Sequence, residues 1–446
     1  MLAVAPLLLF PFCDRGTVAT VLLWLSLISG AWVIMSPSCR PGEMPHDARE
    51  RFLSAMLRDP LLWFSLLVVV FAGIRALNGG IALGYDAENM VWSIKEPALN
   101  ILPGCVDGTG FLPFATCVAL LVLLQGMRHA LDAEASIAFF TTASALAGVS
   151  AIAASIALSY GNECVVDMVA SSYISPQFAG TAYGIYLYLG LIALFGCAEA
   201  GWHGAELFAA LGIVCSAIGF ELFSPPATFA VFALVFIMLL FSSIPLTKGR
   251  LEGSASFRCA IVLLLVFAAV VLLAVFGESF GPIDSKRDAL LAMKPFPDGF
   301  FAARDAMSSI ALKSWRENPW LGSGLGSFPL DLRFVATPDD WTVISPIQKA
   351  STNGWWQLLV ERGIIGALIL VVVTGFLAHS YFMRMAKSIK GKCGLWRPAC
   401  ILGPLVVVPI VALSFVDCSL LRTDVLLAVA SALSLSAVAF ERRPRR

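Results

Sequence analysis

The chain has 446 residues, of which 59% are hydrophobic and only 13% are charged, and its formal net charge at pH 7 is zero. Soluble domains carry roughly 25% charged residues, so this composition excludes a soluble globular protein and is typical of a polytopic membrane protein. The zero net charge excludes the bulk electrostatic attraction on which nucleic-acid-binding proteins depend.

Apolar runs long enough to form membrane-spanning helices recur along the whole chain. We predict them at residues 2–13, 17–36, 59–77, 111–127, 136–158, 179–197, 204–221, 226–247, 259–277, 363–385, 397–418 and 424–440. The first run is short, but it lacks the charged start and cleavage site of a signal peptide. We therefore expect an all-α polytopic membrane protein with about 12 transmembrane helices. It forms a single domain, 1–446, with one large loop, 278–362, before the last three helices.

The distribution of Lys and Arg predicts how the chain crosses the membrane. One set of short loops holds clusters of both residues, whereas the opposite short loops hold only Arg15, Arg75, Lys95 and Arg422. The positive-inside rule then puts both termini in the cytoplasm and the large loop on the outer face. In a bacterium this is the periplasmic side of the inner membrane.

Cysteine and histidine usage adds two expectations. Cys105 and Cys164 fall in predicted outer loops, where they form either a disulfide or two ordinary buried thiols. The four histidines lie in inner loops or near the inner end of a helix, at His46, His129, His203 and His379. Chemistry at the outer face therefore has no imidazole base.

The large loop contains a segment with helical spacing. Apolar residues over 299–318 share one face, and Pro319 ends the run. They are Phe300, Phe301, Ala303, Met307, Ile310, Ala311 and Trp315. Arg304 lies off this face. Arg304, Arg333 and Arg362 are either phosphate clamps, through the guanidinium fork, or solvated arginines.

A glycine-rich stretch follows this helix. Gly322, Gly324 and Gly326 predict a mobile turn, which either offers backbone amides to an anion or is a tight turn that re-enters the membrane surface. Tryptophans are concentrated around it, at Trp315, Trp320, Trp341, Trp355 and Trp356. An interfacial aromatic belt explains most of them, and stacking on sugar rings is the alternative for one or two.

This arrangement resembles the bacterial O-antigen ligase and O-antigen polymerase superfamily of inner-membrane glycosyltransferases. Members have about a dozen helices and one large periplasmic loop before the last few. The loop's Arg, helix and Pro-x-x-Gly-x-Gly-x-Gly-x-Phe segment are similar to Arg304, Pro319, Gly322, Gly324, Gly326 and Phe328. The family's His-Asn block is similar to Asn353, Gln357, Leu358, Leu359, Glu361, Gly363 and Gly366. Upstream, 175–180 resembles the family's entry into a helix.

Two departures from the family pattern affect catalysis. Thr352 stands where the family has its His, and 223–228 lacks the Arg that the family has near a mid-chain helix start. Only Arg304 matches one of the family's chief catalytic side chains.

The resemblance implies transfer of a glycan from undecaprenyl pyrophosphate to an acceptor hydroxyl at the periplasmic face. The acceptor belongs to the lipid A core in the ligases and to another lipid-linked repeat in the polymerases of surface polysaccharide assembly. No nucleotide or metal cofactor is expected, because the leaving group is already activated and positioning and charge neutralisation carry much of the barrier. The implied partners are the lipid-linked glycan, its acceptor and membrane lipid, without nucleic acid.

The site that follows from these motifs has catalytic residues at Arg304, Glu361 and Thr352. Substrate-binding residues are expected at Arg333, Asn353, Gln357, Gly322, Gly324, Gly326 and Trp355. Thr352 is no general base at neutral pH, because its hydroxyl only donates or accepts a hydrogen bond. Another carboxylate then acts, with Asp331, Asp339, Asp340 and Glu361 available, or the protein binds lipid-linked glycan without transferring it. Glu361 is alternatively a solvated carboxylate near a helix N-terminus.

Two rival functions belong to other classes. One is a non-catalytic accessory protein of the same pathway that binds the lipid-linked glycan. The other is a transporter, which is less favoured because we find no paired intramembrane charges or interrupted twin helices in the predicted spans.

Overall fold

The computed structural model describes residues 15–36, 43–86, 89–96, 99, 104–130, 133–160, 180–223, 300–344 and 353–389, with a few positions between 407 and 433. This part of the chain is mostly helical. Four of its helices are long and apolar enough to cross a bilayer, at Pro60–Leu77, Ile137–Ala157, His203–Phe220 and Gly354–Val372. The protein is therefore an α-helical membrane protein. The predicted spans 2–13, 226–247 and 259–277 lie outside the described residues, and 397–418 and 424–440 lie largely outside them.

The elements are named in chain order. They are α1 (Arg15–Met35), α2 (Pro45–Leu57), α3 (Pro60–Leu77), β1 (Ala82–Asp86), β2 (Val91–Lys95), α4 (Phe111–Ala130), α5 (Ala133–Ser159), α6 (Gly180–Ala200), α7 (His203–Phe223), α8 (Phe300–Glu317), α9 (Phe328–Val335), α10 (Pro338–Val343) and α11 (Gly354–Ile389). Helices α5, α6 and α7 pack against one another, and α4 packs against α1 and α3.

The hairpin of β1 and β2 departs from the predicted all-α architecture. Its strands are antiparallel, with Ala82 opposite Lys95 and Asp86 opposite Val91. The rings of Tyr85 and Trp92 lie across the strands with their centroids 5.0 Å apart. Strands of five residues produce no long apolar run, so a search for membrane spans passes over them.

Asp59 connects one end of α3 to the adjacent end of α4. Its carboxylate accepts a hydrogen bond from the Leu61 amide at 3.1 Å and so caps α3. The same carboxylate lies 2.8 Å from the Arg128 guanidinium and 3.2 Å from the His129 ring. These contacts fix how α3 and α4 lie side by side. At the opposite end, Arg75 of α3 and Thr109, which lies just before α4, contact the segment that follows α8.

The predicted helix over 299–318 is confirmed as α8. Its residues Met307, Ile310 and Ala311 are fully buried and pack with Phe328 and Val360. Trp315, Trp341 and Trp356 pack against the edge of this small core. Phe301 does not belong to the buried face, because its side chain is 56% exposed. This core holds α8, α9 and α10 against the start of α11.

Helix α11 is interrupted at Gly363. This residue has φ 65° and ψ −173°, a backbone conformation that is essentially restricted to glycine. A Cβ at this position would lie 2.3 Å from the Trp320 carbonyl oxygen and 2.6 Å from the Gly322 nitrogen. The break therefore requires both the freedom of glycine and the absence of a side chain.

Replacing Gly363 by alanine is expected to destabilise the protein by about 2 kcal/mol or more, from backbone strain and the clash with Trp320. Gly375→Ala is the matched control in the same helix, because a Cβ there meets nothing within 4 Å. That change should be neutral or slightly stabilising. Thermal unfolding in detergent measures both, and equal midpoints for the two variants would contradict this explanation.

Candidate functional site

The interruption of α11 is held by a buried arginine from α3. Arg75 is 0% exposed, and its Nη2 donates hydrogen bonds to the carbonyl oxygens of Leu321, at 3.0 Å, and Glu361. Its guanidinium carbon lies 5.3 Å from the centre of the Phe71 ring. A helix break leaves carbonyl groups without their usual donors. Arg75 donates to one such carbonyl in α11, that of Glu361, and to the carbonyl of Leu321 in the segment that packs against it.

Residues 319–327, here called the Gly turn, occupy the space beside this break. The amides of Ile364 and Ile365 donate to the carbonyls of Pro319 and Trp320, at 2.9 and 3.1 Å. The Ser323 amide donates to the Val360 carbonyl at 2.8 Å. The Gly turn and the two halves of α11 therefore complete each other's backbone hydrogen bonding.

The three glycines of the turn all adopt positive φ angles: 74° at Gly322, 122° at Gly324 and 74° at Gly326. A Cβ at Gly322 would lie 2.6 Å from the Gly363 nitrogen, so the close backbone contact excludes any side chain. The amides of Gly322 and Leu325 donate to main-chain carbonyls. The turn is thus tightly built, contrary to the expected mobile turn, and these amides are already used within the protein.

Glu361 is buried beneath the Gly turn, with 7% of its surface exposed. Its carboxylate accepts a hydrogen bond from Gln357 Nε2 at 3.0 Å and another from the Gly326 amide. Arg75 and Arg362 are close enough to interact electrostatically with it. The alternative of a solvated carboxylate is therefore wrong. Gln357 and Glu361 lie on one helix face, as their spacing predicts.

Asn353 begins α11 as a buried capping residue. Its side-chain oxygen accepts hydrogen bonds from the amides of Trp355, at 3.0 Å, and Trp356, at 3.4 Å. This oxygen satisfies donors that the first turn of a helix leaves unpaired. The geometry thus gives Asn353 a structural role, and Trp355 lies beside it half-buried. Thr352, which replaces the family His, lies outside the described residues.

Asp331, in the first turn of α9, is the second buried carboxyl beside the Gly turn, at 8% exposure. Ser327 Oγ donates to it at 3.4 Å. Burial and the nearby Glu317 carboxylate raise the pKa of Asp331, surrounding serine hydroxyls partly oppose this rise, and the pKa is about 6. A carboxyl with this pKa is ionised at neutral pH and close to the range of a general base.

The other two aspartates of the loop have different environments. Asp339 is exposed. Asp340 accepts hydrogen bonds from the amide and hydroxyl of Thr337, both at 2.8 Å, in a capping box at the start of α10. These bonds hold the pKa of Asp340 below its usual value. Asp331 is therefore the only one of these three aspartates whose environment suits proton transfer.

Arg304 and Arg333 lie apart from the Glu361 cluster. Arg304 is half-buried near the start of α8, and Arg333 is exposed at the end of α9. Neither forms an ion pair with any residue that the structure describes. The hydroxyl of Ser314 faces Asp331. Arg304 lies ten residues before Ser314 in the same helix, which separates the two residues by about 15 Å along the helix axis. The structure thus does not bring Arg304 and Asp331 together.

Arg75 is the site residue that sequence reasoning missed. We counted its charge with the outer short loops, although the predicted span 59–77 contains it, and it lies fully buried in the last turn of α3. The available signal was a cation inside an apolar run, which marks a functional or structural site in membrane helices. Glu361 and Arg362, which lie just before the predicted span 363–385, are part of the apolar helix α11 and lie close to Arg75.

Cys105 is a buried free thiol whose sulfur lies 3.6 Å from the Ala76 carbonyl oxygen. Burial raises the pKa of this thiol, as expected for an inert cysteine. Cys164, the other half of the possible disulfide, lies outside the described residues.

Comparisons with known proteins add no assignment: no family model matches the chain, and no curated protein matches it.

The role of Arg75 as a capping group predicts a graded response to substitution. Arg75→Leu leaves the Leu321 and Glu361 carbonyls without this donor, at about 1–3 kcal/mol for each buried group. Arg75→Lys restores a donor to one of them and should recover part of the stability. Thermal unfolding in detergent tests the order wild type, Lys, Leu; a leucine variant as stable as the lysine variant would contradict the role.

The raised pKa of Asp331 predicts a pH-dependent stability change. Folding favours the protonated carboxyl. Its contribution to the free energy of unfolding is fully present below the pKa of 3.8 in the unfolded chain and is lost as the pH rises through the folded pKa of about 6. Asp331→Asn should therefore stabilise the protein near pH 8, by at most about 3 kcal/mol, and give no gain near pH 4. Exposed Asp339→Asn is the control. An equal effect of Asp331→Asn at both pH values would refute the assignment.

Proposed function

We propose that this protein is a membrane glycosyltransferase that transfers or polymerises saccharide linked to undecaprenyl pyrophosphate at the periplasmic face of the bacterial inner membrane. The observation that carries this proposal is that two buried carboxyls, Asp331 and Glu361, lie beside one Gly turn next to apolar helices, with the buried Arg75 and the half-buried Arg362 near Glu361. Such a site suits a substrate that has an anionic head and a hydrocarbon tail. The loop motifs that resemble the O-antigen ligase and polymerase superfamily supply the reaction class.

The first role in this reaction is stabilisation of the departing pyrophosphate. Arg304 is assigned this role by its match to the family's loop arginine. Its lack of an ion pair with any described residue supports the assignment, because a guanidinium free of carboxylates remains able to bind phosphate oxygens. Arg333 is a second, more exposed cation in the same loop.

The second role is removal of the proton from the acceptor hydroxyl. We assign it to Asp331 in place of the family His. The supporting observations are its burial, its contact with Ser327 and its pKa of about 6. Glu361 suits this role less well, because Gln357 and the Gly326 amide already hold its oxygens. Glu361 instead positions the Gly turn that carries Ser327.

A transporter is the second candidate, because α11 is interrupted beside Glu361 and Arg362, which lie next to Arg75. Broken helices with charged groups at the break occur at the substrate sites of transporters. Substrate-dependent flux into liposomes, without formation of a glycosylated product, would favour this function over glycosyl transfer.

The assay uses purified protein with an undecaprenyl-pyrophosphate-linked repeat, with and without a lipid A core acceptor. Arg304→Ala should lower turnover about 100-fold or more through loss of charge stabilisation. Arg316→Ala, an exposed arginine on the same helix, should keep the wild-type rate. Product without the core acceptor identifies a polymerase, and product only with it identifies a ligase. Binding without product would overturn transfer and favour the accessory-protein function.

The pH profile tests Asp331 separately. Wild-type kcat/KM should rise with pH through about 6, as the carboxyl loses its proton, and Asp331→Asn should lower the rate about 100-fold or more and remove this step. Asp305→Asn, on exposed α8 surface, is the control.

Loss of turnover in both the Arg304 and Asp331 variants would require the loop to close on its substrate. Loss in only one identifies the group at the reacting atoms.

A further inference from the structure

A cavity between α3, α4 and α11 lies within the apolar part of the protein. Its volume is about 130 Å³, well above the roughly 10–15 Å³ that one water molecule needs. Apolar side chains line most of it, including Phe71 from α3, Leu121 and Leu124 from α4, and Ile369 from α11. The cavity therefore suits a hydrocarbon group better than water.

One charged side chain, Arg362, lines this cavity, whose other lining residues are apolar apart from Ser65 and Cys117. Its Nε is buried and has no hydrogen-bond partner among the described residues. The side chain reaches the cavity along Gly366, where a Cβ would lie 2.5 Å from Arg362 Cβ. Arg75 lies behind it against Phe71, and its Nε and Nη1 are likewise buried without a described partner.

The charges of this cluster do not cancel. Arg75 and Arg362 carry two positive charges, whereas Glu361 carries at most one negative charge, so at least one positive charge remains. An uncompensated charge at membrane depth is costly, and unpaired buried N–H groups add to that cost. An anion with several acceptor oxygens removes both costs, and a phosphate group fits the guanidinium fork.

We propose that this cavity is a lipid-binding site in which Arg362, backed by Arg75, binds a phosphate headgroup while one hydrocarbon chain occupies the space between α3, α4 and α11. The ligand is a phosphate-bearing lipid, which is either a bilayer phospholipid or a polyprenyl phosphate. Binding of a phosphate-bearing lipid does not depend on the proposed glycosyl transfer, and only an assignment of the site to polyprenyl phosphate rests on that proposed function.

The test is native mass spectrometry of the full chain in detergent with dioleoyl phosphatidylglycerol or dioleoylglycerol. The two lipids share their chains, and only the first has a phosphate. We expect retention of phosphatidylglycerol and at least about tenfold weaker binding of dioleoylglycerol, because a hydrogen bond to a charged group contributes about 1.5–3 kcal/mol. Equal binding of both lipids would overturn the proposal.

Variants then separate the headgroup from the chain. Arg362→Gln should weaken phosphatidylglycerol binding about tenfold or more, and Arg362→Lys should recover part of the loss. Leu121→Trp fills the cavity and should also abolish binding, whereas Leu368→Trp, on the exposed side of α11, should leave it unchanged. Wild-type affinity in a folded Leu121→Trp or Arg362→Gln variant refutes the site.

Competition identifies the source of the lipid. Added polyprenyl phosphate that displaces phosphatidylglycerol supports the site and assigns it to the lipid carrier. Phosphatidylglycerol that stays bound supports the site as one for bilayer phospholipid. Displacement by free glycerol phosphate alone would overturn the role of the hydrocarbon chain. Turnover measured on the same samples is a separate readout, so failure of the proposed function and failure of the lipid site are distinguishable.

Discussion

The hydrogen bonds from Arg75 to the Leu321 and Glu361 carbonyls are the constraint on which the rest of the site depends. A helix interrupted at membrane depth exposes backbone groups that water cannot reach, so the protein itself must satisfy them. The Gly turn supplies carbonyls for the amides after Gly363, and Arg75 donates to the Glu361 carbonyl before it. The break, the turn and the buried arginine therefore form one interdependent unit.

This solution carries a cost that points towards function. Arg75 satisfies two carbonyls with one nitrogen and leaves its other nitrogens unpaired among the described residues. A neutral donor would complete the same backbone hydrogen bonds without adding a net charge. Natural folds break such local rules mainly at functional sites. The excess positive charge beside Arg362 is thus better explained by an anionic ligand than by the needs of the fold.

Helix α8 and the capping segment of α11 could be predicted from the sequence, because both depend on local spacing. The position of Arg75 could not, because its partner Leu321 is 246 residues away in the chain. The role of Gly322 and Gly363 likewise depends on a backbone contact between distant segments. The spacing of the glycines predicted a turn. Whether the amides of this turn are available to a ligand depends on its tertiary contact with α11.

The Gly turn also explains how two carboxyls of the same loop acquire different chemistry. Its Gly326 amide donates to the Glu361 carboxylate, which also accepts from Gln357 and has cations as neighbours. Ser327 donates to Asp331, whose charged neighbour is Glu317. One carboxylate therefore holds the turn, whereas the other is buried and has no neighbouring cation among the residues that the structure describes. The hydrogen-bond partners of the two carboxyls therefore separate Glu361, which has a structural role, from Asp331, which is able to accept a proton.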